Sequence, residues 1–148
     1  MYMGYLRYEN NKIVEFDALA FLKDYDHNKR VLKSLKERLS ELDAISGFSY
    51  DTERVQTSDI SDPTATIAIL SAHISSQIAY YTFLINLYSS AMAGLSPDDR
   101  WILETFFTKK VYRPAEQAKE HFHMEKTAIY RMRSQAIERF SDMIVGSI

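Results

Sequence analysis

The side chains best suited to chemistry lie in one late segment, 126–140, where four basic residues accompany a single acidic one. They are Lys126, Arg131, Arg133 and Arg139 against Glu138, a net charge of +3 (four minus one), whereas the whole chain carries −2. A guanidinium can hydrogen-bond the edge of guanine, and an ammonium can pair with phosphate. A basic excess confined to one element is typical of a chain that meets nucleic acid with a single helix.

Apolar residues in the same segment recur at helical spacing, at Ile129, Met132, Ala136 and Phe140, which predicts a helix that buries one face. The remaining faces carry the candidate DNA-binding residues, which are Lys126, Thr127, Tyr130, Arg131, Arg133 and Ser134. We expect Arg131 to bind guanine edges, Lys126 to reach phosphate, and Thr127 to touch a thymine methyl group or phosphate. The alternative is that Lys126 and Arg131 are solvated surface charges and that Tyr130 packs on its neighbours.

Three short helices are predicted in the C-terminal part, over 97–109, 114–122 and 125–144. Ser96 and Pro97 stand in the order of a helix cap followed by a first-turn proline. A turn at His123 separates the last two helices, with Ala118 and Phe122 facing the core and Met124 filling the interior. Two helices joined by a tight turn, with basic residues on the second, form the helix-turn-helix pattern.

Two long helices are predicted upstream, over 17–45 and 64–93, with Asp17 as the N-cap of the first. Each shows a seam at coiled-coil spacing, and the seams consist of Tyr25, Asn28, Leu32, Leu35, Leu39 and Leu42, and of Ile74, Ile78, Tyr81, Ile85, Tyr88 and Met92. A polar loop, 46–62, connects the helices. The N-terminal segment 5–16 is either a tail or a small hairpin about Asn10-Asn11.

Composition narrows the class of protein. The chain of 148 residues has 4 Gly, 3 Pro and no Cys, which excludes disulfides and thiolate zinc sites, suits a cytoplasmic location, and disfavours β-rich folds with many turns. No charged residue occurs between Pro63 and Pro97, yet polar residues interrupt every apolar run there, so we expect no membrane span. His121 and His123 would point to different helix faces, and we expect no metal, no cofactor and no enzyme active site.

The predicted fold is therefore all-α. Residues 1–16 are a tail or small hairpin, 17–93 a long helical hairpin with the loop 46–62, and 95–148 a trihelical helix-turn-helix unit. The charge-free helix 64–93 needs cover on several sides. A homodimer through helices 17–45 and 64–93 is therefore a second interpretation of the two seams.

The C-terminal part resembles the promoter-reading, C-terminal module of sigma-70-type factors. The likeness is carried by Leu95-Ser96-Pro97, Arg100, Ile102-Leu103, Glu116, Phe122, Ile129, Tyr130-Arg131 and Ala136-Ile137. It is closer still to phage late-gene transcriptional regulators of the ArpU and RinA type, which look like that module with a long helical N-terminal extension. The linker of those regulators is similar to Ser49-Tyr50-Asp51, Val55-Gln56-Thr57-Ser58 and Asp62-Pro63.

The resemblance implies a regulator that binds double-stranded DNA, with RNA polymerase as a second partner. An activator fits better than a complete sigma factor, because no promoter-melting or core-binding segment is evident. The sequence departs from the pattern at His123 in the turn, at Glu125 as a weak cap, and at Lys119, where a small residue is usual unless Ala118 takes that place. The alternative function is a helical protein-interaction module, an adaptor or anti-activator without DNA affinity.

Overall fold

The N-terminal residues form a small antiparallel sheet in the computed structural model, which describes residues 2–49 and 63–147. Its strands are β1 (Tyr2–Met3), β2 (Leu6–Glu9) and β3 (Lys12–Phe16), in the order β1-β2-β3. Asn10 and Asn11 turn the chain between β2 and β3 with φ of 51° and 61°, a left-handed geometry that asparagine tolerates better than most residues. Of the two predicted alternatives for 5–16, a tail or a hairpin, the structure has the hairpin, and β1 adds a third strand. The fold is therefore not purely α-helical.

Two long helices follow, α1 (Ala18–Ser49) and α2 (Pro63–Ala93). Asp17 caps α1 as predicted, because its carboxylate accepts a hydrogen bond of 3.0 Å from the backbone N–H of Ala20. The predicted end of α1 at residue 45 is wrong. A single glycine such as Gly47 costs a helix only about 1 kcal/mol, and the helix continues through it. The rest of the predicted loop 46–62 lies outside the described residues.

The C-terminal part contains α3 (Pro97–Leu103), a π-helical turn (Glu104–Thr108), α4 (Pro114–Phe122) and α5 (Lys126–Ser147). The predicted helix 97–109 is thus an α-helix that widens into a π-turn. Ser96 caps α3 by accepting a hydrogen bond of 3.2 Å from the N–H of Asp99. The protein is mainly helical, and none of the helices in its described part is both long and apolar enough to cross a membrane.

The chain divides into two compact units, and the division cuts through both long helices. The head unit comprises Met1–Asp26 and Asn86–Ile148, and the two-helix unit comprises His27–Ile85. The start of α1 and the end of α2 thus belong with the sheet and the C-terminal helices, whereas the sequence prediction divides the chain near Gly94.

Aromatic rings explain why those helix ends join the head unit. Phe140 of α5 is fully buried, with its ring centroid 5.9 Å from Phe21 of α1 and 6.0 Å from Tyr88 of α2. Tyr5, in the turn between β1 and β2, and Phe16 of β3 pack on the same Phe21 ring at 5.2 and 5.5 Å. Burial of these large aromatic side chains is the main source of stability in this core.

Tyr25 and Tyr88 stack with ring centroids 3.7 Å apart, which fixes the start of α1 against the end of α2. Burial raises the pKa of Tyr88 to about 12, although a hydrogen bond with Thr108 acts in the opposite direction. Since the unfolded phenol has a pKa of 10.0, the unfolded chain ionises first. This residue's contribution to stability is therefore complete below pH 10 and declines as the pH rises from there towards 12.

In the two-helix unit the predicted seams are the less exposed faces of α1 and α2. Asn28 and Leu35 are buried, and the other seam residues of this unit are half-buried. Leu32 of α1 and Ile85 of α2 line one cavity of about 470 Å³, together with lysine side chains of α1. The seams are thus used inside one chain, and the opposite face of α2 remains uncovered within the described residues.

Candidate nucleic-acid interface

A tight turn at His123 joins α4 to α5, as predicted. His123 adopts the left-handed conformation, with φ 54° and ψ 46°, and its N–H bonds to the carbonyl of Lys119. A non-glycine residue in this conformation costs about 1–2 kcal/mol, so the surrounding packing must hold it. At the other end, Pro114 occupies the first turn of α4, where a proline lacks no needed hydrogen bond.

The inner face of α5 follows the predicted spacing. Ile129, Ala136 and Phe140 are fully buried, whereas Met132 is half-buried. Ala118 of α4 is also fully buried. It therefore supplies the small residue at the helix contact, while Lys119 reaches Glu116 across 3.8 Å.

Met124 does not fill the interior, and that prediction is wrong. Its side chain is 44% exposed and lines a surface cavity with Ala128 and Arg131. The left-handed His123 turns the chain outward before α5 begins, which places Met124 outside the core. Phe122 is half-buried and packs edge-on against Trp101 of α3, with ring centroids 5.1 Å apart.

Five of the predicted site residues share the exposed side of the first turns of α5. They are Lys126, Thr127, Tyr130, Arg131 and Ser134. The Ser134 hydroxyl donates to the Tyr130 carbonyl at 3.1 Å, so it is satisfied within the helix. Among the described residues, Arg131 forms no ion pair, which leaves its guanidinium available to a ligand.

Arg133 is less exposed than the other five predicted site residues. It is half-buried, and its guanidinium carbon lies 4.8 Å from the Tyr130 ring centroid and 5.1 Å from that of Phe106. Its Nε is buried with no hydrogen-bond partner. Residue 133 follows the buried Ile129 by four positions, so its side chain borders the core. We assign Arg133 to supporting Tyr130 by cation–π packing.

An ion pair fixes α5 on α3. Nη1 of Arg139 lies 2.8 and 2.9 Å from the two carboxylate oxygens of Asp99. Asp99 is 3% exposed and also stands in the first turn of α3, where acids are favoured by the helix dipole. Arg139 therefore serves the fold, and the charge that remains for a ligand is concentrated nearer the start of α5.

The structure adds Arg113 to the candidate site. Together with Lys126, Tyr130 and Phe106, it lines a cleft of about 620 Å³ beside the start of α4. Glu116 and Glu120 lie in the same cleft and make its charge mixed. Arg113 takes a left-handed conformation with φ 46°, immediately before the proline that opens α4.

The charge pattern of the sequence also marks the loop that contains Arg113. The run 105–115 holds three basic residues and no acidic one. Two of the three have partners, because Lys109 pairs with Glu104 at 3.2 Å and Lys110 lies 4.0 Å from Asp26. Arg113 forms no ion pair within the described part of the chain.

The described residues contain no group of three or more His, Asp or Glu side chains that could hold a metal ion. Comparisons with known proteins give no further identification. The sequence matches no protein-family model, and neither the characterised proteins nor the solved structures include a significant match. The function is therefore inferred from the geometry of α4 and α5.

Proposed function

We propose that this protein is a sequence-specific DNA-binding transcriptional regulator whose α5 helix enters the major groove. The observation that carries the proposal is the exposed pair Thr127 and Arg131, on the side of α5 opposite the buried Ile129 and Ala136, with the exposed Lys126 at the edge of that face. The outer face from residue 126 to 134 is about 12 Å long at 1.5 Å per residue, which suits the major groove of B-DNA.

The proposed roles differ between residues. Arg131 hydrogen-bonds a guanine edge, and Thr127 contacts a thymine methyl group or a phosphate. Lys126, together with Arg113 across the cleft, binds the phosphate backbone and positions the helix. Tyr130 stands between Lys126 and Arg133, 6.0 Å from the ammonium of Lys126 and 4.8 Å from the Arg133 guanidinium, and shapes the surface between them.

The wider assignment follows the resemblance of the sequence to phage late-gene regulators. On that basis the protein acts in the cytoplasm, controls late genes of a phage or prophage, and contacts RNA polymerase as an activator. The helix-turn-helix unit of α3 to α5 is then the counterpart of the sigma-70 C-terminal module. The long helices α1 and α2 are the counterpart of the N-terminal extension.

Salt dependence provides the test of DNA binding. We expect the affinity for a duplex promoter fragment to fall steeply as the salt concentration rises, because bound phosphates release counterions. Lys126→Ala is expected to weaken binding to all sequences alike and to reduce the slope of log K against log [salt] by about one. Fluorescence anisotropy at four or five salt concentrations measures both effects.

The matched control is Lys36→Ala, which removes an exposed lysine from α1 in the two-helix unit and is expected to leave the slope unchanged. An affinity that does not respond to salt, or an equal loss in both variants, would contradict the proposal.

A protein-interaction module is the second candidate, and two exposed apolar side chains favour it. Tyr112 is 77% exposed and Met124 is 44% exposed, and acidic residues share the cleft with Arg113. An adaptor or anti-activator of this kind would bind a protein partner with no measurable DNA affinity. The salt experiment therefore separates the two candidates.

A further inference from the structure

The outer face of α2 carries large apolar side chains that are exposed within the described residues. Ile69 is 70% exposed, Phe83 52% and Tyr80 45%. No charged residue stands between Pro63 and Pro97. An apolar helix face without charge in water typically marks a surface where another element docks.

This face has a heptad seam of its own. The seam consists of Ala65, Ile69, Ala72, Ser76, Ala79 and Phe83, at spacings of 4, 3, 4, 3 and 4, and all six are exposed. It lies on the opposite side of α2 from Ile74, Ile78 and Ile85, which are half-buried. One helix thus carries two coiled-coil seams, of which residues 2–49 and 63–147 cover one.

We propose that the outer seam binds the same seam of a second copy, with the two α2 helices antiparallel and the two-fold axis near residue 74. In that register Ile69 faces Ala79, Phe83 faces Ala65, and Ala72 faces Ser76 of the partner subunit. Every large side chain then lies opposite a small one. Alternating large and small residues across an interface is how facing helices interdigitate without voids.

The pattern favours a second copy over an unrelated partner because the seam is complementary to itself. A two-fold interface uses the same patch on both subunits, so each contact occurs twice. A parallel pair would set Phe83 against Phe83 and leave gaps between the facing alanines. Since the seam carries no charge, two copies also approach without like-charge repulsion.

The proposed contact between the two α2 helices is short, and its length limits the affinity of the dimer. From residue 65 to 83 the seam spans about 27 Å at 1.5 Å per residue, and a single helix pair of this length falls at the low end of stable interfaces. We therefore expect reversible dimers with a dissociation constant of roughly micromolar size. This proposal narrows the homodimer predicted from both seams to α2 alone, and it does not depend on DNA binding.

Sedimentation velocity over a range of protein concentrations tests the association. We expect the wild-type protein to shift from monomer to dimer between roughly 1 and 100 µM. Ala79→Glu, which buries a charge only in the dimer, should raise the dissociation constant at least about tenfold while helicity by circular dichroism is unchanged. Ser34→Glu, on an exposed position of α1, is the matched control. A wild-type monomer throughout, or equal association of Ala79→Glu, would overturn the proposal.

Spin labelling tests the orientation, since the chain has no cysteine of its own. Thr66→Cys places one label at an exposed position near the start of α2. In the antiparallel register the two labelled positions are offset by about 24 Å along the helix axis (16 residues at 1.5 Å). A parallel pair keeps them side by side, near the interaxial distance of about 10 Å. A short distance would overturn the antiparallel arrangement.

Discussion

Phe140→Ala is expected to lower the free energy of unfolding by about 3–5 kcal/mol, the usual cost of removing a buried phenylalanine. Phe140 has no exposed surface and packs against both Phe21 and Tyr88. The ring therefore joins α5 to the start of α1 and the end of α2, and the head unit loses its common contact when the ring is removed.

Urea unfolding, followed by fluorescence of the single Trp101 and by circular dichroism, measures this change. Tyr112→Ala is the matched control, because that aromatic ring is 77% exposed and its loss should change stability by no more than about 0.5 kcal/mol. A Phe140→Ala variant as stable as the control would show that α5 does not pack on the two long helices as described.

Arg131→Ala is expected to reduce discrimination between a selected DNA site and a scrambled one by about 1–3 kcal/mol, or roughly 5- to 150-fold. Its guanidinium is exposed on the outer face and forms no ion pair within the described residues, so substitution removes a ligand contact without disturbing the fold. Competition binding with the two duplexes gives the ratio directly.

The control for this substitution is Arg38→Ala, an exposed arginine of α1, which should leave the ratio unchanged. If Arg131→Ala instead weakened binding to both duplexes by the same factor, Arg131 would be a phosphate contact, and the proposed reading of guanine would be wrong.

Features that depend on local sequence were predictable. Asp17 and Ser96 cap their helices and Pro114 opens α4, because each of these depends on neighbouring residues alone. The turn at His123 also follows from the sequence, although the surrounding packing holds its left-handed conformation. The seams of α1 and α2 likewise follow from spacing.

Features that depend on distant residues were not predictable. Arg133 is held by Phe106, a ring from the π-helical turn, and neither the turn nor its orientation has a local signature. The exposure of Met124 depends on how His123 directs the chain. The extension of the head unit into both long helices depends on Phe21, Tyr88 and Phe140, which meet only in the fold.

The candidate DNA-binding residues show the same difference between features set by local sequence and features set by distant residues. Helical spacing alone places Thr127 and Arg131 on the face opposite the core and Lys126 at its edge, and the structure exposes all three. Arg113 joins them only through the packing of α4 beside α5. Sequence alone therefore predicts the exposed face that we propose for DNA recognition, whereas the proposed phosphate contact of Arg113 depends on the three-dimensional arrangement.

Photo-crosslinking from α5 tests whether this helix enters the major groove of DNA, and the lack of native cysteine allows attachment of the reagent at a single position. A photoreactive reagent attached to Thr127→Cys, in the middle of the proposed recognition face, is irradiated with duplexes selected by the wild-type protein from a random pool. We expect Thr127→Cys to form adducts at major-groove positions of the selected site, and we expect none from Ser34→Cys on α1. Equal crosslinking from both positions, or none from Thr127→Cys, would contradict the entry of α5 into the major groove.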